Sequence, residues 1–186
     1  MKARAHIKLV KRSVIYQGHI IRLVKDVLDV DGRRMIREVG LHPGAAVVVP
    51  VLGKDRILLV RQYRRAVGRW LLELPAGTLH PGEPPLRCAR RELEEETGWR
   101  ARRWRRLGRF YAAPGLLSEQ MTMFLAQDLV PGRMQLDHDE MLTPVALSFK
   151  EALHKVRTGS ICDAKTLIGL WWASQFLISR ESELSR

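Results

Sequence analysis

Between Gly77 and Trp99 the chain has little conformational choice. Pro81-Gly82 reverses its direction, Pro84 and Pro85 suit the opening turn of a helix, and Gly98 supplies the left-handed residue that ends one. A helix from about Pro84 places Glu92, Glu95 and Glu96 on one face, because residues three and four apart are neighbours. That crowding opposes helix stability. Each like-charge pair at this spacing costs roughly 0.2–0.5 kcal/mol, and each carboxylate in the last turn opposes the macrodipole by roughly 0.3–1 kcal/mol. Arg90 and Arg91 answer Glu94 and Glu95 one turn on, whereas Cys88 precedes Glu92 and Glu92 precedes Glu96 at that distance. Two carboxylates are left without a helical partner. A divalent cation is the simplest compensation, since Mg²⁺ is held by carboxylates, waters and substrate phosphates together. For the glutamates alone, a solvated acidic face is the rival account.

The rest of the composition narrows the class. A chain of 186 residues, 46% hydrophobic and 28% charged, fits one soluble globular domain. No apolar run approaches the roughly 20 residues needed to span a bilayer, so no membrane partner is expected. Met1-Lys2-Ala3-Arg4 is basic, but no hydrophobic signal region follows it, and a cytoplasmic location is expected. Cys88 and Cys162 have no paired ligand spacing and read as two reduced thiols. The formal net charge is +12, and Arg100, Arg102, Arg103, Arg105, Arg106 and Arg109 crowd the segment after Gly98. Only Trp104 interleaves an aromatic there, so a solvated basic face is preferred to a nucleic-acid surface. Such a field draws anionic nucleotides toward the molecule.

Alternation over residues 7–40 predicts strands around Val14-Tyr16, Ile20–Val24 and Val27-Asp29, then the hairpin turn Asp31-Gly32 before Arg34–Glu38. Ala45–Leu52 and Arg56–Tyr63 read as buried central strands and Trp70–Pro75 as a further one. Trp104–Ala112 and Met121–Leu129 flank a loop, Ala113–Glu119, and Pro131-Gly132 leads to an acidic loop, Asp137-His138-Asp139-Glu140. Helices are expected over Lys150–Arg157, capped by Ser148, and over Ala164–Ser179, capped by Asp163. This order fits a sheet between layers of helices.

The segment Gly77-x5-Glu83-x7-Arg91-Glu92-Leu93-x-Glu95-Glu96-x-Gly98-Trp99 resembles the Nudix box at every position but the last, where Trp99 replaces an aliphatic residue. The resemblance implies an α/β fold: a Nudix α/β/α sandwich with a mixed sheet and a small added N-terminal antiparallel β-sheet. Residues 1–40 would be that added segment, serving dimerisation or substrate, and 41–186 the hydrolase domain. Similarity to the ADP-ribose pyrophosphatase branch runs over nearly the whole chain, through Arg37-Glu38, His42–Ala45, Arg61–Arg64, Leu74–Gly77 and Asp163–Thr166. Pro114, sixteen residues past Gly98, within Pro114-Gly115-x-x-Ser118-Glu119, is the mark that selects this branch.

That resemblance implies Mg²⁺-dependent hydrolysis of ADP-ribose to AMP and ribose 5-phosphate in a homodimer, with Mn²⁺ as the alternative ion. Rival readings are another nucleoside diphosphate sugar, ADP-glucose or GDP-mannose, or a basic RNA-processing or RNA-binding protein. The expected metal ligands are Glu92, Glu96, Glu95 and the Ala76 carbonyl. Arg91 and Glu83 are expected to pair and hold the loop against the helix. Glu140 is expected as general base or further ligand, with Glu95 in reserve, and His138 reads as a plain loop residue in preference to a base. Arg37, Arg64, Pro114 and Glu119 are expected to contact substrate, the guanidinium forks suiting phosphate oxygens.

Overall fold

The computed structural model describes residues 5–136, 138 and 140–184. The chain divides into two compact units, Met1–Gly44 with Tyr111–Gln120, and Ala45–Phe110 with Met121–Arg186.

The first unit is built on three antiparallel strands, β1 (Ile7–Gln17), β2 (Arg22–Val30) and β3 (Arg33–Leu41), in the order β1-β2-β3. Asp31 and Gly32 both take positive φ, 51° and 83°, and Gly32 N–H donates to the Asp29 carboxylate at 2.9 Å. Such a two-residue turn matches the right-handed twist of the strands it joins. Ile20 stands in the connection rather than in β2, where Gly18 N–H donates to the Ile21 carbonyl at 2.9 Å. Across the sheet Arg12 grips Asp26 with two donors, at 2.7 and 2.6 Å. The loop 111–120 adds to this unit through Gly40. Gly40 N–H donates to the Leu116 carbonyl, and Ser118 N–H donates back to the Gly40 carbonyl, both at 2.9 Å. A Cβ at Gly40 would fall 2.5 Å from Leu117 Cδ2, so glycine lets that side chain lie against β3.

The second unit holds a mixed sheet of seven strands. β4 (Ala45–Leu52), β5 (Arg56–Arg64), β6 (Arg69–Glu73), β7 (Ala76–Thr78), β8 (Trp99–Tyr111), β9 (Gln120–Pro131) and β10 (Leu142–Ser148) supply it. Its order is β10-β5-β4-β9-β8, with β6 on β5 and β7 on β4. β4 and β9 are parallel and the other registered pairs antiparallel, as a mixed sheet requires. Three helices complete it, α1 (Pro85–Thr97), α2 (Phe149–Arg157) and α3 (Ala164–Leu184).

β4 explains why this sheet needs two covers. Val47, Val49 and Val51 pack with Leu170, Ala173 and Ala152 of α3 and α2, while Ala46 and Val48 pack with Cys88, Ala89 and Leu93 of α1. Successive side chains leave opposite faces of a strand, so an unbroken apolar strand is stable only between two helical layers. Each buried valine contributes about 1.5–3 kcal/mol relative to exposure.

β10 lies where the sequence reading has no element. Pro144 lacks the N–H of a ladder donor and argues against a central strand. Among the described residues β10 pairs only with β5, Pro144 opposite Val60, and so stands at the sheet edge, where a proline is tolerated. Among the described residues no helix is long and apolar enough to cross a membrane. Both cysteines are free thiols, Cys88 buried and Cys162 exposed.

Candidate active site

α1 begins as its prolines dictate: Pro84 is extended at the N-cap and Pro85 enters the first turn, with no side-chain cap. It ends at Gly98, with φ 71° and its N–H donating to the Glu94 carbonyl at 2.8 Å. Its buried face carries Cys88, Ala89, Glu92, Leu93, Glu96 and Thr97. The stripe that packs under the sheet thus turns, one and two turns beyond Cys88, into two carboxylates. Glu92 is 6% exposed and Glu96 1%.

Both acids meet backbone that has been cleared for them. A Cβ at Gly77 would fall 1.7 Å from Glu92 Oε1, so only glycine lets that carboxylate lie against the strand leaving Pro75. Ala76 N–H donates to Glu96 Oε2 at 3.1 Å. Glu140, half-buried, completes a group in which one oxygen from each of Glu92, Glu96 and Glu140 lies within 4.8 Å of the others.

Arg91 braces the same helix. It donates to both Glu83 oxygens at 3.2 and 3.1 Å, to Glu95 Oε2 at 3.0 Å, to the Thr78 carbonyl at 3.3 Å and to Glu92 Oε1 at 2.6 Å. The Arg91–Glu83 clamp is the expected one. The contact to Glu92 corrects the expectation that this acid has no partner on the helix: its neighbour in sequence reaches it. Glu94 is likewise answered by Arg100 at 2.6 Å, while the Arg90 guanidinium lies 6.0 Å from the Trp104 ring centre.

One arginine does not neutralise this group. Burial pushes the Glu92 carboxyl up to about 7, and the charges of Glu95 and Glu140 add to burial against the opposing Arg91. Burial first, then the Glu92 and Glu140 charges, raise Glu96 well above the carboxylate range despite the Ala76 N–H. Two buried acids that resist ionising, with a third beside them, form an all-oxygen donor set suited to a hard divalent cation. The residues present fit such an ion.

A second charged cluster lies in the same unit, where the expected substrate residue Arg64 and the expected cap Asp163 meet Glu73 and Lys165, two residues given no role in the sequence. Arg64 binds both oxygens of Glu73, Nε at 2.9 and 3.2 Å and Nη2 at 2.7 Å. Glu73 is 1% exposed and also receives the Lys165 ammonium. Lys165 reaches Asp163 at 3.0 Å. Asp163 in turn caps α3, accepting from Thr166 N–H at 3.0 Å and from its hydroxyl at 2.6 Å. A lone acid inside the apolar run Trp70–Pro75 was the signal available for Glu73. Nothing local marks the Glu73–Lys165 pair, because its members are 92 positions apart.

The other expected site residues are placed as follows. Glu95 is part-exposed on α1 beside Arg91. Arg37 is exposed on β3, its Nη1 donating to the Ile36 carbonyl at 2.8 Å. Pro114 is exposed in the turn closed by Leu116 N–H on the Ala113 carbonyl at 2.9 Å. Glu119 sits 3.7 Å from His42 Nδ1. These last three belong to the first unit. His138 is exposed, and Asp137 and Asp139 lie outside the described residues.

Known proteins bear on this geometry. The NUDIX domain profile matches residues 41–166. The chain is 36% identical over 178 residues to an ADP-ribose pyrophosphatase of Bacillus subtilis, covering 94% of each. It is 35% identical over 166 residues to a methanol dehydrogenase activator of Bacillus methanolicus, covering 88% of this chain and 90% of that one. A solved ADP compounds hydrolase superposes with a TM-score of 0.86 at 23% identity, over 97% of this chain and 98% of that chain, a likeness of fold.

Proposed function

The chain belongs to the Nudix family, and from that premise we propose that it hydrolyses the pyrophosphate bond of ADP-ribose, giving AMP and ribose 5-phosphate. The observation that carries the reading is the 94% mutual coverage with the Bacillus subtilis pyrophosphatase, joined to a carboxylate cluster at the box. Water adds to one phosphorus and the bridging P–O bond breaks. A nucleophile approaching a diphosphate meets negative charge, and charge neutralisation is the chief demand on the site.

Glu92, Glu96 and Glu140, with Glu95 and the Ala76 carbonyl, are the groups assigned to hold Mg²⁺ or Mn²⁺. Such an ion, when bound, screens the phosphates and favours ionised water. The chain's own residues do the rest. Gly77 leaves room for the Glu92 carboxylate, Ala76 N–H orients Glu96, and Arg91 fixes the loop carrying Glu83 against α1. Glu140, or failing it Glu95, accepts the proton of the attacking water. Arg64 presents its remaining edge to the diphosphate, and Glu96 lies close enough to act on its charge. The roles of Arg37, Pro114 and Glu119 toward substrate rest on their positions in the family pattern.

Residues 1–40 are assigned to homodimer formation or substrate contact and 41–186 to catalysis. Supporting the first is β1, where Ile7, Leu9, Val10, Val14, Ile15 and Tyr16 are all exposed. Apolar surface of this extent on an edge strand favours a protein partner. A cytoplasmic location is inferred with it, consistent with two free thiols.

The decisive experiment measures release of the nucleoside monophosphate, AMP from ADP-ribose and ADP-glucose and GMP from GDP-mannose, with Mg²⁺ and with EDTA. Metal-dependent release fastest from ADP-ribose is expected. Preference for another sugar would replace the substrate, and no release from any would refute hydrolysis. Sedimentation equilibrium then reads the assembly, expected at twice the chain mass.

A further inference from the structure

Arg64 faces a contradiction that the cluster around it resolves. One edge of its guanidinium, Nε and Nη2, is locked onto Glu73. A bidentate carboxylate fixes the fork in space, but it also cancels the charge that a diphosphate would seek. Asp163 also acts on Arg64, so without a second cation the guanidinium would face two carboxylates and the cluster would repel a diphosphate.

Lys165 changes that balance. It is 6% exposed, it binds Glu73 on the oxygen that Arg64 Nη2 also uses, and it makes a second contact to Asp163. Burying an ammonium is costly unless it is paired and hydrogen-bonded. Here it is held between two carboxylates rather than one. Burial works against Glu73 ionising, yet the Arg64 hydrogen bond and the Lys165 charge keep its carboxyl below the ordinary range. The four residues therefore carry two cations and two carboxylates. The cations differ in reach: the Lys165 side chain is buried and the Arg64 side chain is partly open to solvent.

The same cluster is tied to the backbone of the carboxylate site. Leu74 N–H donates to the Thr166 hydroxyl at 2.8 Å, and that hydroxyl donates to Asp163. Two residues beyond Leu74, Ala76 N–H holds Glu96. The start of α3 thus registers the strand that leads to the box.

Resting on the diphosphate reading of this site, we propose that Lys165 is a positioning residue that offsets the Glu73 and Asp163 carboxylates from the buried side, so that Glu73 can fix the Arg64 guanidinium without leaving the cluster negative toward the diphosphate. The prediction follows from charge count and not from shape. Lys165→Met leaves one uncompensated carboxylate behind Arg64. Asp163→Asn keeps an N-cap oxygen for Thr166, since asparagine caps as well as aspartate, and removes one negative charge. The double variant restores the balance.

The test is calorimetric titration, in Mn²⁺, with methylenediphosphonate and with the non-hydrolysable α,β-methylene analogue of ADP-ribose. Mn²⁺ affinity and thermal melting are measured on each variant. Lys165→Met is expected to weaken both ligands by about tenfold, a modest Coulombic effect at a partly solvated site, with Mn²⁺ affinity unchanged. Lys165→Met/Asp163→Asn is expected to recover to within about threefold of wild type on the same reasoning. A structural role alone would make the double variant worse than the single, and that result overturns the proposal. Wild-type affinity in Lys165→Met does so equally. If Lys165→Met does not fold, Asp163→Asn alone decides: it should bind methylenediphosphonate more tightly than wild type, and weaker binding refutes the idea. A wild type that binds the bare diphosphonate with this variant pattern, but not the ADP-ribose analogue, removes the substrate reading and leaves Lys165 its role. A wild type that binds neither refutes the role itself.

Discussion

Glu92 and Glu96 lie on one stripe of α1 with Glu140 beside them, and their ionisation is the property most open to test. A carboxyl raised from 4.5 to about 7 on folding, as Glu92 is, contributes stability that is complete below pH 4.5 and lost as the pH rises through about 7. In metal-free protein, Glu92→Gln should therefore gain on wild type in melting temperature as the pH is raised from about 5 to about 8. A gap that stays constant over that range would mean Glu92 is not perturbed. Protons and cation compete for the same oxygens, so Mn²⁺ affinity should fall as the solution is acidified below about 7. Glu96→Gln should lower turnover by about 100-fold or more and weaken Mn²⁺ binding with it. Glu140→Gln separates two roles: loss of kcat at constant Mn²⁺ affinity marks a base, and loss of both marks a ligand. Gly77→Ala should disturb the site without touching a charge, because its methyl would occupy the Glu92 carboxylate.

Elements whose ends are fixed by their own residues were legible. α1 is framed by Pro84-Pro85 and Gly98, and α2 by a complete capping box in which Ser148 and Glu151 exchange hydrogen bonds. Ser148→Ala should cost about 1 kcal/mol, read in urea unfolding, and an unchanged midpoint would show that packing alone holds α2. Elements fixed by distant partners were not legible. β10 hid behind Pro144, which only the edge position makes acceptable. The clustered carboxylates on the helix could be named because they recur every turn, whereas the Glu73–Lys165 contact joins positions with no shared period. Arg90 and Glu94 satisfy the helical spacing rule yet look elsewhere, to Trp104 and Arg100. Spacing proposes a pair, and the neighbouring strand decides it.

Over the whole molecule, a net charge of +12 sets how an anionic substrate arrives. The arginines of β8 are exposed along an edge strand, where charge also guards against pairing with another chain. kcat/KM for ADP-ribose should fall as ionic strength rises, with kcat little changed, because salt screens the approach and not the bound state. A salt-independent kcat/KM would show that the charge plays no part in capture. The two thiols divide the molecule differently. Burial and then the Glu92 charge push Cys88 up to about 12, while Cys162 is exposed in the turn before α3, 3.3 Å from Arg69 Nη2. A maleimide dye at neutral pH will therefore find one attachment point per chain. The native sequence already carries a unique handle, one residue from Asp163, for tethering the protein to a surface or placing a fluorophore without first removing a cysteine.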